Sequence, residues 1–203
     1  MDEQNLIESA QQGRLESFNQ LVLVYQEMVF NTAYRILGDE ASAEDATQIT
    51  FINAYRNIKR FRGGSFKAWL LRTVTNACYD EFRRQKRRPT TPLEPVNQDN
   101  DEELDSPFWL ADDTPSPEEA LEAKEIERTV QNCIQALPDE FRTVVILVDI
   151  QGLDYSEASS VVGKPLGTVK SRLARARLRL RDCLKNLMEL LPDNHRLISE
   201  SER

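Results

Sequence analysis

Apolar side chains recur at helical spacing near the N-terminus and predict an amphipathic helix there. They stand at Phe18, Leu21, Val22, Tyr25 and Val29. Intervals of three, four and seven residues place them on one stripe, which is the face that a helix buries. Gly38 is expected to end this helix, because glycine readily adopts the conformation that terminates helices.

Two further helices are predicted in the first half of the chain. One runs from Ala43 to about Ile58, with Ser42 as a candidate cap. Its expected core positions are Ala46, Ile49, Ala54 and Ile58. After the Gly63-Gly64 pair, the other helix continues into the basic stretch 83–88 and stops before Pro89, since the residue before proline disfavours the helical conformation. Its apolar positions are Trp69, Leu70, Val74 and Ala77.

The second half begins with a predicted helix near 116–118, and Pro138 suits the first position of the next one. The β-branched run Val144–Val148 would form a strand on propensity alone. No second run of this kind exists for it to pair with, so we predict helix. The expected fold is all-α: two small helical domains, residues 1–90 and 118–190, joined by a linker over 91–117 and followed by a polar tail over 191–203.

The predicted linker, 91–117, is rich in proline and acidic residues and cannot bury enough apolar surface to offset the cost of ordering. Phe108, Trp109 and Leu110 interrupt it. A short apolar cluster in an acidic tract indicates either a docking point or a local collapse, and the sequence does not decide between them.

Charge is distributed unevenly. The formal net charge of −8 argues against nucleic-acid binding when it is taken alone. However, residues 54–88 carry eleven Lys/Arg against two acidic residues, and residues 164–181 carry seven Lys/Arg and no acidic residue. Eleven Asp/Glu lie between them, in 91–123. The acidic total therefore conceals two candidate phosphate-binding surfaces.

Several classes of protein are disfavoured. The acidic N-terminus is not a signal peptide and no apolar run approaches membrane-spanning length, so we expect a cytoplasmic protein with no membrane insertion. The cysteines Cys78, Cys133 and Cys183 lack the spacing of a zinc site and are expected to be reduced thiols. With a single histidine, His195, and no glycine-rich phosphate loop, neither an enzyme nor a cofactor or metal site is expected.

The strongest motif is GLDYSEASSVVGKPLGTVKSRLARARLRL, over residues 152–180. A short helix, a turn at Gly163-Lys164, a helix-opening Pro165 and a basic second helix predict a helix-turn-helix. Lys170, Ser171, Ala174 and Arg175 share one face of the second helix, which could enter a major groove. The alternative is a solvated basic helix of a bundle.

Residues 137–177 resemble domain 4 of extracytoplasmic-function (ECF) sigma factors, which reads the minus-35 promoter element. Their sequence is LPDEFRTVVILVDIQGLDYSEASSVVGKPLGTVKSRLARAR. Ala158-Ser159 replaces a more usual isoleucine-alanine pair. The resemblance implies DNA contacts by Thr168, Lys170, Ser171, Arg172, Ala174 and Arg175.

The first half resembles domain 2 of the same family. In AEDATQITFINAYRNIKRF, at 43–61, the resemblance implies docking on the clamp helices of RNA polymerase by Asp45, Gln48 and Phe51. The alternative is an ordinary amphipathic helix with Phe51 in its core. Residues 61–88 resemble the part of domain 2 that captures the minus-10 element, and their sequence is FRGGSFKAWLLRTVTNACYDEFRRQKRR. Aromatic side chains among cations suit a melted strand. The implied contacts are Phe61, Arg62, Gly63, Gly64, Asn76, Arg83 and Arg84.

Together these resemblances imply a sigma factor that directs promoter-specific initiation in a stress or envelope response. The implied partners are core RNA polymerase, at its clamp helices and flap region, promoter DNA, and an anti-sigma factor. The alternative is a helix-turn-helix regulator that acts without replacing the sigma subunit.

Overall fold

A computed structural model describes residues 2–87 and 117–188, and it describes side chains from 125 to 185 within the second range. The helices are α1 Glu3–Gln11, α2 Leu15–Leu37, α3 Glu40–Asn57, α4 Phe66–Arg87, α5 Pro117–Gln135, α6 Asp139–Val145, α7 Tyr155–Val162 and α8 Leu166–Met188. No strand occurs in these two ranges, and the all-α prediction is confirmed. The predicted linker lies almost entirely outside the described residues, as do Phe108, Trp109 and His195.

Helices α1 to α4 pack into the first half around an apolar core. Gly38 ends α2 with a φ of 80°, a left-handed conformation that glycine adopts without steric cost. Asp39, rather than the predicted Ser42, caps α3: its carboxylate accepts a hydrogen bond from the backbone N–H of Ser42 at 2.8 Å. Helix α3 therefore begins three residues earlier than predicted. A 3-10 turn, Ile58–Arg60, follows it and leads into the loop before α4.

Helices α5 to α8 form the second half. The run Val144–Val148 is helical as predicted: α6 continues into a single π-helical turn, Ile146–Ile150. Asp154 and Glu157 form a reciprocal capping box at the start of α7. Gly163, with a φ of 62°, then turns the chain into α8. Together α7 and α8 form the predicted helix-turn-helix.

The two halves pack against each other along α2, α4, α5, α6 and α7. The Arg142 guanidinium is buried among three backbone carbonyls. It donates to Ile36 at the end of α2 (2.6 Å), and to Gln135 and Leu137 at the end of α5 (2.7 and 2.9 Å). Burial lowers the pKa of Arg142. Since helix C-termini carry partial negative charge and unpaired carbonyls, one cation here satisfies two helix ends at once.

Further polar contacts join the two halves. The amide of Gln135 donates to the carbonyl of Arg35 at 2.8 Å, and Lys67 donates to that of Gln151 at 2.6 Å. Gly38 lies so close to the Gln135 side chain that a Cβ at position 38 would come within 2.6 Å of it. A side chain at position 38 would therefore displace the Gln135 amide from its hydrogen bond with Arg35.

The cysteines do not match the prediction of three reduced thiols. Cys78 is a buried free thiol in α4. Cys133 in α5 and Cys183 in α8 are joined by a disulfide, although fifty positions separate them in sequence. The described residues contain no group of three or more potential metal ligands, and none of their helices is long and apolar enough to span a bilayer.

Candidate nucleic-acid and polymerase interfaces

Helix α8 presents a polar, basic surface to solvent. Burial of Val169 and Leu173 against the rest of the second half fixes the rotation of the helix. That rotation leaves Lys170, Ser171, Ala174 and Arg175 exposed. These are the four positions that the sequence analysis placed on one face. Arg175 has no ion-pair partner among the described residues, so its guanidinium is available to a base edge or a phosphate.

Two residues of this face are engaged within the protein, and Thr168 lies beside them. Ser171 donates its hydroxyl to the carbonyl of Thr168 at 3.0 Å. Lys170 lies 5.6 Å from the centre of the Tyr155 ring, a cation–π distance that orients the ammonium group along α7. Half-buried Thr168 lies at the start of the helix. To contact DNA, these residues would have to give up their present interactions within the protein or share them with the DNA.

Arg172 does not belong to the free surface. Its guanidinium pairs with Glu140 of α6, and its side chain is largely buried. Arg177 similarly forms a two-point pair with Asp149, at 3.0 and 2.5 Å, which raises the pKa of Arg177. Both arginines attach α8 to the preceding helices. A DNA contact by Arg172 would require it to leave Glu140, and that implied contact stays a prediction.

Arg175→Ala is expected to weaken binding to a minus-35 duplex by about 1–3 kcal/mol and to relax preference at one base pair, if the guanidinium forms a bidentate base contact. Competition binding with single-base variants of the duplex measures both effects. Arg181→Ala is the control, because Arg181 is exposed on the same helix but pairs with Asp182 beyond the reading face. An equal loss on every duplex would identify Arg175 as a phosphate contact instead.

Phe61, predicted to stack on an extruded base, is buried in an aromatic cluster. Only 8% of it is exposed. Its ring lies 5.4 Å from Phe66 and 5.5 Å from Trp69, and Tyr25 contacts Phe66 from α2. Edge-to-face and tilted contacts at these distances stabilise a core. Stacking on a base would require Phe61 to leave this cluster.

The loop beside this cluster is exposed and basic. Arg62, Gly63 and Gly64 are accessible, and both glycines have φ near 90°. The loop borders a cavity of about 450 Å³ whose opposite wall is α7, with Ser156 and Ser160. In this arrangement the candidate minus-10 loop faces the helix-turn-helix, which limits access of a nucleic-acid strand.

Asn76 lies in a groove of about 560 Å³ between α3 and α4. The same groove is lined by Arg72 and Arg84. Arg83 pairs with Asp80 at 2.7 Å, and Arg84 pairs with Glu81 at 2.7 Å. The Arg83–Asp80 pair is exposed and contributes little to stability, so Arg83 can be exchanged for phosphate at low cost, whereas Glu81 is largely buried and depends more on Arg84. The structure thus brings Asn76 and Arg84 together, whereas Phe61 lies apart in the core.

The outer face of α3 holds the residues implied in polymerase docking. Asp45 and Gln48 are exposed, whereas Phe51 is half-buried and packs on the core. Ile49, predicted to be a core residue, is 48% exposed, and Ile52 is 43% exposed. Sequence reasoning missed these two isoleucines. Their spacing of three, beside Gln48, was the signal of an outward apolar stripe.

Comparisons with known proteins agree on both halves. The model for sigma-70 region 2 matches residues 21–88, and that for sigma-70, region 4, matches residues 127–180. The RNA polymerase sigma-H factor of Pseudomonas aeruginosa is 37% identical over 92% of this chain and 95% of its own length. The ECF RNA polymerase sigma factor SigW of Bacillus subtilis is 35% identical over 89% and 96%, respectively.

Another similar protein is longer. The ECF RNA polymerase sigma factor SigE of Mycolicibacterium smegmatis is 36% identical over 85% of this chain, which spans 63% of that relative's length. Among solved structures, CnrH in complex with the cytosolic domain of CnrY has a TM-score of 0.61 at 25% identity, covering 91% of this chain and 99% of that one. The sigma factor RpoE in complex with the anti-sigma factor NepR, from Bartonella quintana, has a TM-score of 0.63 at 24% identity, covering 84% and 98%.

Proposed function

Because this chain belongs to the ECF RNA polymerase sigma factors of the sigma-70 family, we propose that it binds core RNA polymerase and directs initiation at its own promoters. The observation that carries this proposal is the presence of region 2 and region 4 in one chain, over residues 21–88 and 127–180. A regulator that acts beside another sigma subunit would not need the first of these.

We assign the two promoter elements to the two basic surfaces. The exposed face of α8, around Ser171 and Arg175, is proposed to read the minus-35 duplex. The groove holding Asn76 and Arg84, with the loop at Arg62 to Gly64, is proposed to hold the melted minus-10 strand. Arg72 and Arg84 line this groove beside Trp69, together with Asp45, Asp80 and Glu81, so phosphate binding there depends on the two arginines and on the basic loop at Arg62, while Trp69 offers a ring to an unstacked base.

The exposed face of α3 is proposed as the polymerase-docking surface, and two of its residues, Asp45 and Ile49, also line the edge of the groove that holds Asn76. Exposed apolar side chains among polar ones are typical of a binding patch, and Ile49 and Ile52 lie beside Asp45 and Gln48. Phe51 then acts indirectly, by holding α3 on the core. This assignment replaces Phe51 by the two isoleucines as the apolar contacts.

The remaining parts of the proposal concern setting. We propose that the protein works in the cytoplasm, in a stress or envelope response, where an anti-sigma factor controls it. The likeness to CnrH, which was solved with the cytosolic domain of CnrY, supports such a partner.

Gln48→Ala combined with Ile52→Ala is expected to weaken binding to core polymerase by about 10- to 100-fold, since truncation of central interface residues costs on the order of 1–3 kcal/mol. Binding is measured with labelled protein and purified core enzyme, and initiation by run-off transcription without another sigma factor. Asn19→Ala, an exposed change on α2, is the matched control.

Unchanged affinity in the double variant would refute the docking surface. If the unaltered protein bound promoter duplex but never supported initiation by core polymerase, the regulator alternative would replace the sigma proposal.

A further inference from the structure

Two cysteines from opposite ends of the second half meet in the structure. Cys133 lies in α5 and is 1% exposed, whereas Cys183 lies near the end of α8 and is half-buried. Their Cα atoms are 5.9 Å apart, and a disulfide joins the side chains. A covalent bond therefore links the first and last helices of this half.

The bond encloses the DNA-reading elements. All of α6 and α7, and the reading face of α8, lie between positions 133 and 183. On α5, Cys133 stands between Gln131 and Gln135, whose amides donate to the carbonyls of Tyr34 and Arg35 in α2. The bond thus joins α8 to the turn of α5 that contacts the first half.

We propose that Cys133 and Cys183 are a reversible redox pair, a modification site whose state sets the stability of the half that reads the minus-35 element. This inference rests on the proposed function, because a cytoplasmic sigma factor works where thiols are kept reduced. A disulfide in that setting forms under oxidation and is removed by dithiols.

The reaction is balanced with a peroxide as oxidant. The thiolate of Cys183, the less buried of the two residues, attacks hydrogen peroxide and becomes a sulfenic acid as hydroxide leaves and is protonated to water. The Cys133 sulfur then displaces the sulfenic oxygen as a second water. Two thiols and one peroxide thus give one disulfide and two waters, and exchange with a dithiol restores both thiols.

Cys78 provides an internal contrast. It is completely buried in α4, and burial raises the pKa of its thiol to about 12. The thiolate is the reactive form, so Cys78 is expected to be inert in the folded protein.

The test uses the full chain, reduced with dithiothreitol and then treated with hydrogen peroxide. Intact mass should fall by about 2 Da, as two hydrogens are lost. Peptide mapping should find Cys133 joined to Cys183, and dithiothreitol should reverse the change without denaturant. The oxidised form should melt on the order of 10 °C above the reduced form, because the bond restricts the unfolded chain.

Two variants separate the bond from other effects of oxidation. The C133S/C183S double variant should show neither the mass change nor the rise in melting temperature. Cys78→Ala should retain both. Pairing with Cys78, pairing between chains, equal melting of both forms, or a bond that resists dithiothreitol in the folded protein would each overturn the proposal.

These measurements need no polymerase, so their failure would leave the proposed function standing. Conversely, if the redox pair behaves as expected but neither state supports run-off transcription with core enzyme, the proposed function fails and the modification site remains.

Discussion

Phe61→Ala is expected to lower the free energy of unfolding by about 3–5 kcal/mol, the cost typical of removing a buried aromatic side chain. The ring is enclosed by Phe66 and Trp69, and the carbonyl of Phe61 accepts a hydrogen bond from Gln11 of α1. Truncation leaves a cavity where α1, α4 and the loop that precedes α4 meet. Chemical denaturation followed by circular dichroism measures the loss.

Phe61→Leu distinguishes a packing role from a stacking role. Leucine fills most of the space but offers no ring to a base, so we expect it to restore most of the stability and near-normal promoter opening. Permanganate footprinting detects the melted strand. A leucine variant that is stable but does not open promoters would show that Phe61 leaves the cluster and stacks on DNA.

Arg142→Met is expected to destabilise the protein by about 2–4 kcal/mol. Methionine fills a similar space but leaves the carbonyls of Ile36, Gln135 and Leu137 without their charged donor, and each unsatisfied buried acceptor costs about 1–3 kcal/mol. Relief of the desolvation of the guanidinium offsets part of that sum. For a chain of this size the melting temperature should fall by about 5–15 °C.

Arg142→Lys should recover only part of the loss, because an ammonium group cannot reproduce the planar fork. Arg128→Met, a change of the same type at an exposed position of α5, should have little effect. If Arg142→Met melted like the unaltered protein, the buried guanidinium would contribute nothing to the contact between the halves.

The contact that Arg142 makes also bears on promoter binding. Elements centred about 10 and 35 base pairs upstream are separated by about 25 base pairs, or roughly 85 Å at 3.4 Å per pair. In the present arrangement α4 and α7 touch. Both elements can therefore be bound at once only after the two halves separate. Because Arg142→Met weakens the contact between the halves, it should favour an open arrangement in which they are apart. Distance measurements between labels on α4 and α8 would detect that separation.

Much of the fold follows from local chemistry that a sequence displays. Periodic apolar residues predicted the helices, and Gly163 with Pro165 predicted the turn of the helix-turn-helix. The strand-like run Val144–Val148 was correctly interpreted as helix because it had no partner. Local rules were less reliable at one cap: Asp39, not Ser42, caps α3, since either side chain can accept the required hydrogen bond.

What could not be predicted depends on contacts between distant positions. Nothing in the spacing of Cys133 and Cys183 indicates that α5 and α8 place them side by side. Isoleucine is a residue type usually found in a core, and only the rotation of α3 on α2 and α4 turns Ile49 outward. Arginine is a residue type that often contacts DNA, yet Arg172 forms an ion pair with Glu140 of α6. In each case tertiary packing selects between two roles that the residue could fill.

The buried position of Arg142 implies that ionic strength acts differently on the two arrangements of this protein. Salt screens buried charges far less than exposed ones, so the contact at the ends of α2 and α5 should persist in concentrated salt. The exposed cations of α8 and α4 bind phosphates by releasing counterions, and six to ten such contacts lose roughly 10³–10⁵ in affinity between 50 and 200 mM salt. If the protein binds promoter DNA as proposed, rising ionic strength should therefore release it from DNA while the contact between the two halves persists.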